Sequence, residues 1–465
     1  MSLPRASLSV DVAVVGAGSA GLSAYRAAAA TTPRVVLVEA GPHGTTCARV
    51  GCMPSKLLIA AAEAAHQARE AGPFGVHAKV EVDGRAVMDR VRRERDRFVG
   101  FVVDGVEAIP PERRLHGRAR FVGPNTLDVD GVRVEARAIV VATGSSPIVP
   151  SMFDGVRHAV AVSDHVFSWE TLPRSVAVFG AGIVGLELGQ ALARLGVRVR
   201  IFGKGGALAF VTDPVVRAAG YAALAHELPL DLDADVRTVE PDGEGGVRVV
   251  FVDPTVGLTV ERFDVALVAA GRRPNLAALG LERAGVTAAA RVDRTTLQLG
   301  DAPIFVAGDA NDDVPLLHEA ADEGRIAGEN AARWPDVRPG RRRSRLAVAF
   351  SDPQIAVAGA SWAELAARGP VVVGEVSFVD QGRSRVMRQN RGALRVYAEP
   401  ATGRLAGAEL VGPRAEHLAH LLAWAHQQEM TVDQMLTMPF YHPVVEEGLR
   451  TALRDASAKL ASGDA

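Results

Sequence analysis

Short, uninterrupted apolar runs recur along the chain, each ending in glycine-rich or charged turns. Val10–Val15 is the first. A run of this length without alternation reads as a strand buried on both faces. It passes into Gly16-Ala17-Gly18-Ser19-Ala20-Gly21, an alanine-rich helical stretch Leu22–Ala30, and a second run Val35–Val38 ending at Glu39. The same pattern returns at Ser175–Phe179, Gly180-Ala181-Gly182-Ile183-Val184-Gly185, a helix to Leu195 and the run Val197–Phe202. Strand, tight turn, helix and strand predict a βαβ unit and a parallel sheet. Other buried runs are Ala138–Ala142 before Thr143-Gly144, Val265–Ala270 before Gly271, and Ile304–Ala307 before Gly308-Asp309. Met88–Val106 reads as an amphipathic helix, with Val91, Phe98 and Val102 as its apolar stripe and alternating arginines and acids as a solvated face. Residues 115–143 read as short strands with turns at Gly123-Pro124-Asn125 and Asp130-Gly131. From Leu346 the pattern changes to strands at 346–350, 371–378, 393–398 and 404–411, then helices at 416–428 and 432–436. That composition predicts a separate α+β domain. Residues 456–465 are small and polar and are expected to fray.

The two glycine turns carry the first chemistry. Glycines between a buried strand and a helix let a pyrophosphate approach the helix N-terminus, and Glu39 is placed to accept hydrogen bonds from a ribose. Two such fingerprints, about 160 residues apart, predict two nucleotides and electron transfer between them. The second strand of the second unit ends Phe202-Gly203-Lys204, with no acid at the ribose position. A lysine there suits a 2′-phosphate, or it is an exposed loop residue.

Composition narrows the field. At 465 residues, with 48% hydrophobic and 23% charged residues, the chain reads as a globular protein of two to four domains. A net charge of −2 argues against nucleic acid or an anionic membrane as the main partner, and Arg341-Arg342-Arg343 reads as a solvated link. No stretch approaches eighteen uninterrupted apolar residues, and Met1–Val10 lacks a signal core, so a cytoplasmic location is expected. The only cysteines, Cys47 and Cys52, lie four residues apart in Thr45–Lys56. The spacing is too wide for paired zinc ligands, and a staple closing so small a loop gains little, so dithiol chemistry is favoured. Met53-Pro54-Ser55 begins a helix whose positive end would favour a Cys52 thiolate; Lys56 follows, a solvated helix residue on the plainer reading. Near the other end His442 precedes Pro443, with Glu447 five residues on. A carboxylate there can orient an imidazole and raise its basicity.

The first fingerprint, Cys47–Lys56, the second fingerprint, Gly308-Asp309 and His442-Pro443…Glu447, in that order, resemble the flavin-dependent pyridine nucleotide–disulfide oxidoreductases, most closely the dihydrolipoamide dehydrogenases. The resemblance covers about residues 8–455. It implies an α/β fold with two Rossmann-like domains, for FAD and NAD(P), and a C-terminal α+β dimerisation domain. The implied division is 1–155 for FAD, 156–272 for NAD(P), 273–340 as the return to the FAD domain and 341–465 for dimerisation. It implies catalytic roles for Cys47, Cys52, His442, Glu447, Lys56 and Glu187, with Lys56 paired to Glu187 beside the flavin and His442 reaching the disulfide of the opposite subunit. Cofactor-binding positions would be Gly16, Gly18, Ser19, Gly21, Glu39, Thr46, Lys56, Thr143, Gly144, Asp309, Leu317, His318, Ala320, Gly180, Gly182, Ile183, Gly185, Glu187, Gly203, Lys204 and Gly271. The implied cofactors are FAD and NAD, with NADP open; no metal is implied. The implied partners are a second copy of the chain and a separate lipoyl-bearing protein. Phe440 and Val444 depart from the His and Thr common in dihydrolipoamide dehydrogenases. Ser55 and Ile183 disfavour a glutathione-reductase type, while Gly203-Lys204 mildly favours it. A mercuric reductase is disfavoured by the lack of further cysteines, and an FAD-binding redox sensor without turnover by the complete Cys47, Cys52, His442, Glu447 set.

Overall fold

The structure is a computed structural model that describes residues 7–287 and 289–463. The chain divides into two compact units, each built from three segments. The first takes the chain up to Leu57, Arg90–Ile148 and Arg272–Arg343; the second takes Leu58–Asp89, Val149–Gly271 and the chain from Ser344.

In the first unit β1 (Ser7–Val15) leads through α1 (Ser19–Ala29) to β2 (Val35–Glu39), as the apolar runs predict. Among the described residues its sheet has seven strands. Their order is Arg114–His116, β2, β1, Val132–Val141, Thr126–Val129 and Ala119–Gly123, with Ile304–Val306 also paired to Val132–Val141. The pairings of β1 with β2 and with Val132–Val141 are parallel. Val12 and Val14 enter one core and Ala13 and Val15 the other, so both faces of β1 are covered. That double burial explains a run with no polar alternation. The helix Leu317–Arg333 lies on α1. A Cβ on its Gly324 or Gly328 would sit 2.1 or 2.2 Å from a carbonyl oxygen of Ala20 or Ala24, so the two helices meet backbone to backbone. The dithiol region follows β2 as two helices, α2 (Thr46–Val50) and α3 (Cys52–Arg69), the second passing into the other unit at Leu58.

In the second unit β3 (Ser175–Phe179), α4 (Ile183–Arg194) and β4 (Arg198–Phe202) form the second βαβ opening. Their sheet runs Leu230–Asp231, β4, β3, Val265–Val268, Val160–Val162, and its pairings are parallel. The rings of Phe153, Phe179, Phe202, Phe251 and Phe263 join this sheet to an antiparallel sheet of strands 235–241, 247–253 and 257–263. The C-terminal part is an antiparallel sheet ordered 346–349, 354–359, 405–412, 393–398, 372–377.

Three expectations change. Gln354–Gly359 is a strand; its small side chains conceal it, but all its residues after Gln354 are buried. The helix Glu446–Ser462 runs on past residue 456, and Ala456 is fully buried; residues 464–465 of the expected tail lie outside the described residues. A Cβ on Gly374 would meet Ala452 O at 2.1 Å, so small residues there serve close helix–sheet packing. Arg342 is not a solvated link residue. It is largely buried, with its guanidinium 2.8 Å from Glu319 and 2.9 Å from Glu323. Among the described residues no helix is long and apolar enough to cross a membrane.

Candidate active site

The first fingerprint forms a cradle for a dinucleotide. Gly16 takes φ +107°, and a Cβ there would lie 2.2 Å from Ala142 O. Gly21 abuts Gly16 O, where a side chain has no room. Gly18 caps α1 without a side-chain bond, the first turn holds no acid, and nothing lies within 4 Å of where its Cβ would be. Ser19 opens the helix. The first turn of α1 thus carries no side-chain cap and no acid, which suits a phosphate. Glu39 accepts from Ala17 N and Gly41 N, each at 2.7 Å, so its carboxylate is fixed at the end of β2. Beside it, where Glu39 registers with His116, a cavity of about 260 Å³ is lined by Leu37, His43, Pro111, Arg114, Leu115 and His116. A cradle at the helix end and a cavity beside the terminal acid fit an adenine dinucleotide.

The return segment adds Asp309, which accepts from Ser145 Oγ at 2.6 Å; Arg272 in turn donates to Ser145 Oγ and O, each at 2.8 Å. Asn275 ties Thr143 and Gly144: Thr143 Oγ1 donates to its carbonyl at 2.9 Å and its N–H donates to Gly144 O at 2.9 Å. Leu317 and His318 are exposed at the start of their helix, and Ala320 is buried. His318 Nε2 is 3.9 Å from Glu319 Oε1.

The dithiol turn is built by local bonds. Thr45, at φ +58°, caps α2 by accepting from Ala48 N at 3.2 Å, and Thr46 is exposed in the first turn. Gly51 joins the helices where a Cβ would sit 3.2 Å from Cys47 Cα. Cys52 opens α3, with Pro54 inside its first turn, where a missing N–H costs little. Ser55 Oγ donates to Cys52 O at 3.1 Å, and Lys56 Nζ donates to Ser55 Oγ at 3.3 Å. The cysteines are present as thiols, Cys47 half-buried and Cys52 exposed. The hydrogen bond to Cys52 pushes the Cys47 thiol well up; burial and the Cys52 charge add to this, against the N–H groups of Cys52 and Met53. The pair titrates as a unit.

The second fingerprint repeats the cradle. Gly180 takes φ +121°, Gly185 abuts Gly180 O, and Gly182 caps α4 without a side-chain bond before Ile183. Gly271 follows the strand Val265–Val268 at φ +103°. Gly203 is pinned by its N–H to Asp231 O, and a Cβ there would lie 2.6 Å from Leu232 O. An acid at this position has no room; Lys204 beside it is exposed. Glu187 is only 4% exposed, so it is no surface acid; its Oε1 accepts from Phe350 N at 2.9 Å.

His442 and Glu447 meet as their spacing predicts. Nδ1 of His442 lies 3.1 Å from both carboxylate oxygens, and Glu447 Oε2 also accepts from Val444 N at 3.3 Å. The imidazole holds the Glu447 carboxyl below its usual range. The His442 side chain is 80% exposed, so its other nitrogen is open to a partner. Cys47, Cys52 and Lys56 belong to the first unit, and Glu187, His442 and Glu447 to the second.

Sequence reasoning missed three supports: Ser145 with Arg272, Arg342 with Glu319 and Glu323, and Gln190 with Arg194 behind Glu187. The last left a signal, since polar residues at 187, 190 and 194 share one face of an otherwise apolar helix.

Residues 10–324 match the family described as pyridine nucleotide-disulphide oxidoreductase, and residues 346–453 its dimerisation domain. A mercuric reductase of Shigella flexneri is 33% identical, over 95% of this chain and 80% of its own length. A dihydrolipoyl dehydrogenase of Halobacterium salinarum is 32% identical, over 97% of both chains. Among solved structures, LpdA of Mycobacterium tuberculosis superposes with TM-score 0.81 at 25% identity, over 96% of this chain and 99% of its own. The flavoprotein disulfide reductase RclA of Escherichia coli shares the fold, with TM-score 0.78 at 22% identity over 96% and 98%. The chain therefore belongs to the class I pyridine nucleotide–disulfide oxidoreductases, flavoprotein enzymes whose cofactors are FAD and NAD(P).

Proposed function

We propose that the protein is a dihydrolipoyl dehydrogenase, oxidising dihydrolipoyl groups on a separate protein through Cys47 and Cys52 and delivering the electrons to NAD⁺. The observation that carries this is the dithiol itself, Cys47 and Cys52 hydrogen-bonded to each other at the head of α3. We take the working division as 1–155 and 273–340 for FAD, 156–272 for NAD(P) and 341–465 for dimerisation.

In this reading His442, oriented by Glu447, takes a proton from one substrate thiol. The thiolate attacks Cys47 of the partner's disulfide; the S–S bond breaks and its electron pair leaves on Cys52. Exposure alone would favour attack on Cys52. Its place at the N-terminus of α3 makes Cys52 the better leaving sulfur, and so Cys47 the one attacked. The second substrate thiol gives up its proton and displaces Cys47 from the mixed disulfide. Oxidised lipoyl departs, and Cys47 takes up the proton. Gly16, Gly18, Ser19, Gly21, Glu39, Thr46, Thr143, Gly144, Asp309, Leu317, His318 and Ala320 would hold FAD, which would supply the two-electron chemistry linking the dithiol to NAD⁺. Gly180, Gly182, Ile183, Gly185, Gly203, Lys204 and Gly271 would hold the nicotinamide nucleotide, and Lys56 and Glu187 would tune the charge around the flavin.

Both cysteines lie in this one turn, so these 465 residues hold no second dithiol to present a metal ion, which weighs against the mercuric reductase reading. The crowded Gly203 and exposed Lys204 favour a second reading, an NADPH-dependent disulfide reductase. Anaerobic stopped-flow mixing decides between them. Dihydrolipoamide should raise a long-wavelength thiolate–flavin absorbance that NAD⁺ discharges. If dihydrolipoamide has no effect and NADPH raises the band, the second reading replaces the first.

A further inference from the structure

Glu187, Gln190 and Arg194 are 4%, 4% and 6% exposed and lie at i, i+3 and i+7 of α4, hence on one face. All three engage the turn Phe350–Asp352, which joins the strands Leu346–Ala349 and Gln354–Gly359 of the dimerisation domain. Glu187 accepts from Phe350 N at 2.9 Å. Gln190 accepts from Asp352 N at 2.7 Å and donates to Asp352 O at 2.8 Å. Arg194 donates to Asp352 Oδ2 at 3.0 Å, and is itself gripped by Glu227 at 2.6 and 2.8 Å.

A buried polar stripe is rarely the most stable choice, because an apolar one of the same volume avoids desolvating charges. Gln190 clamps both main-chain groups of Asp352, two residues from the N–H that Glu187 accepts. The clamp sets the height of the turn on the helix, and so the direction from which Phe350 N–H grips the carboxylate.

We propose that Gln190, backed by Arg194, is a positioning residue for Glu187, so that seating of the dimerisation-domain turn sets the geometry of hydride transfer. This rests on the reading of Glu187 as the acid at the nicotinamide side.

The test compares Gln190→Met, Arg194→Met and Glu187→Gln in the FAD-loaded dimer, following each half-reaction separately with thermal melts in parallel. Gln190→Met should slow flavin reduction by NADH about tenfold, as misplaced groups do, while reduction by dihydrolipoamide stays within about twofold of wild type. Arg194→Met should act in the same direction and less. If Glu187→Gln slows the nicotinamide half-reaction and Gln190→Met does not, the inference is overturned. Equal slowing of both half-reactions with a fallen melting temperature also overturns it, in favour of a purely structural stripe. If Glu187→Gln itself leaves hydride transfer unchanged, the reading of Glu187 fails first, and the inference with it.

Discussion

The Cys47 thiol is pushed up because Cys52 accepts its proton in a hydrogen bond, and that makes the pair's asymmetry testable. Replacing Cys52 by alanine removes both the acceptor and the charge that hold the proton. In reduced Cys52→Ala the midpoint for alkylation of Cys47 by iodoacetamide should fall toward the ordinary thiol value of about 8.5. In the reduced wild type, Cys47 alkylation should continue to rise at more alkaline pH. An unchanged midpoint would mean that Cys52 is not what raises the Cys47 thiol. Glu447 acts at the same scale. Its carboxylate is held ionised by His442, and its bonds to Nδ1 and Val444 N fix the ring. Glu447→Gln should cut turnover with dihydrolipoamide about ten- to hundredfold, yet leave reduction of the flavin by NADH unaltered. A matching loss in both reactions would exclude a role confined to the substrate base.

At the scale of elements, Arg342 joins the loop carrying Asp309 to the helix Leu317–Arg333. Glu323 accepts from Gly308 N at 2.8 Å and from Asn311 Nδ2 at 3.3 Å, and Arg342 balances its charge and that of Glu319. Burial pushes the Glu323 carboxyl up even with Arg342 present. Arg342→Met should cost about 3 kcal/mol at neutral pH, because it leaves buried acids without their cation. The sign of the pH dependence follows. A carboxyl raised in the folded state binds more protons folded than unfolded, so stability falls as pH rises from the unfolded value toward the folded one. The variant's melting deficit should therefore shrink as pH falls from neutrality toward the unfolded carboxyl value of about 4.3; a deficit independent of pH would rule this account out. Elements of this kind were only partly legible in the sequence. The βαβ openings were plain, because double burial writes an unbroken apolar run and the glycine turn is local. Arg342 lay hidden inside a run of three arginines. Gln354–Gly359 and the end of the terminal helix were lost because alanines and glycines there signal close packing as readily as they signal a loop.

At the scale of the whole molecule, every chemically distinctive residue type announced itself: the only two cysteines, the His-Pro pair with its glutamate, and the acid that ends β2. What stayed illegible was the support behind them, since the partners of Glu187 and Gln190 lie 163 and 162 residues away in sequence. No local pattern encodes such a distance. His442 poses the remaining question at this scale, because its ring is bound on one side and 80% exposed on the other. Under the proposed function that open nitrogen serves the dithiol of a second copy. Cys47→Ser and His442→Gln subunits should each be inactive alone with dihydrolipoamide. Refolded together, they form mixed dimers in which the cysteines of one subunit face the histidine of the other, with one intact site and one doubly damaged site. Random pairing makes half the dimers mixed, so activity should return to about a quarter of wild type. Were the histidine to serve its own subunit's cysteines, every site in the mixture would lack one essential group. A mixture that stays inactive, with mixed dimers demonstrated by mass, would therefore place His442 and the dithiol within a single chain and end the shared-site reading.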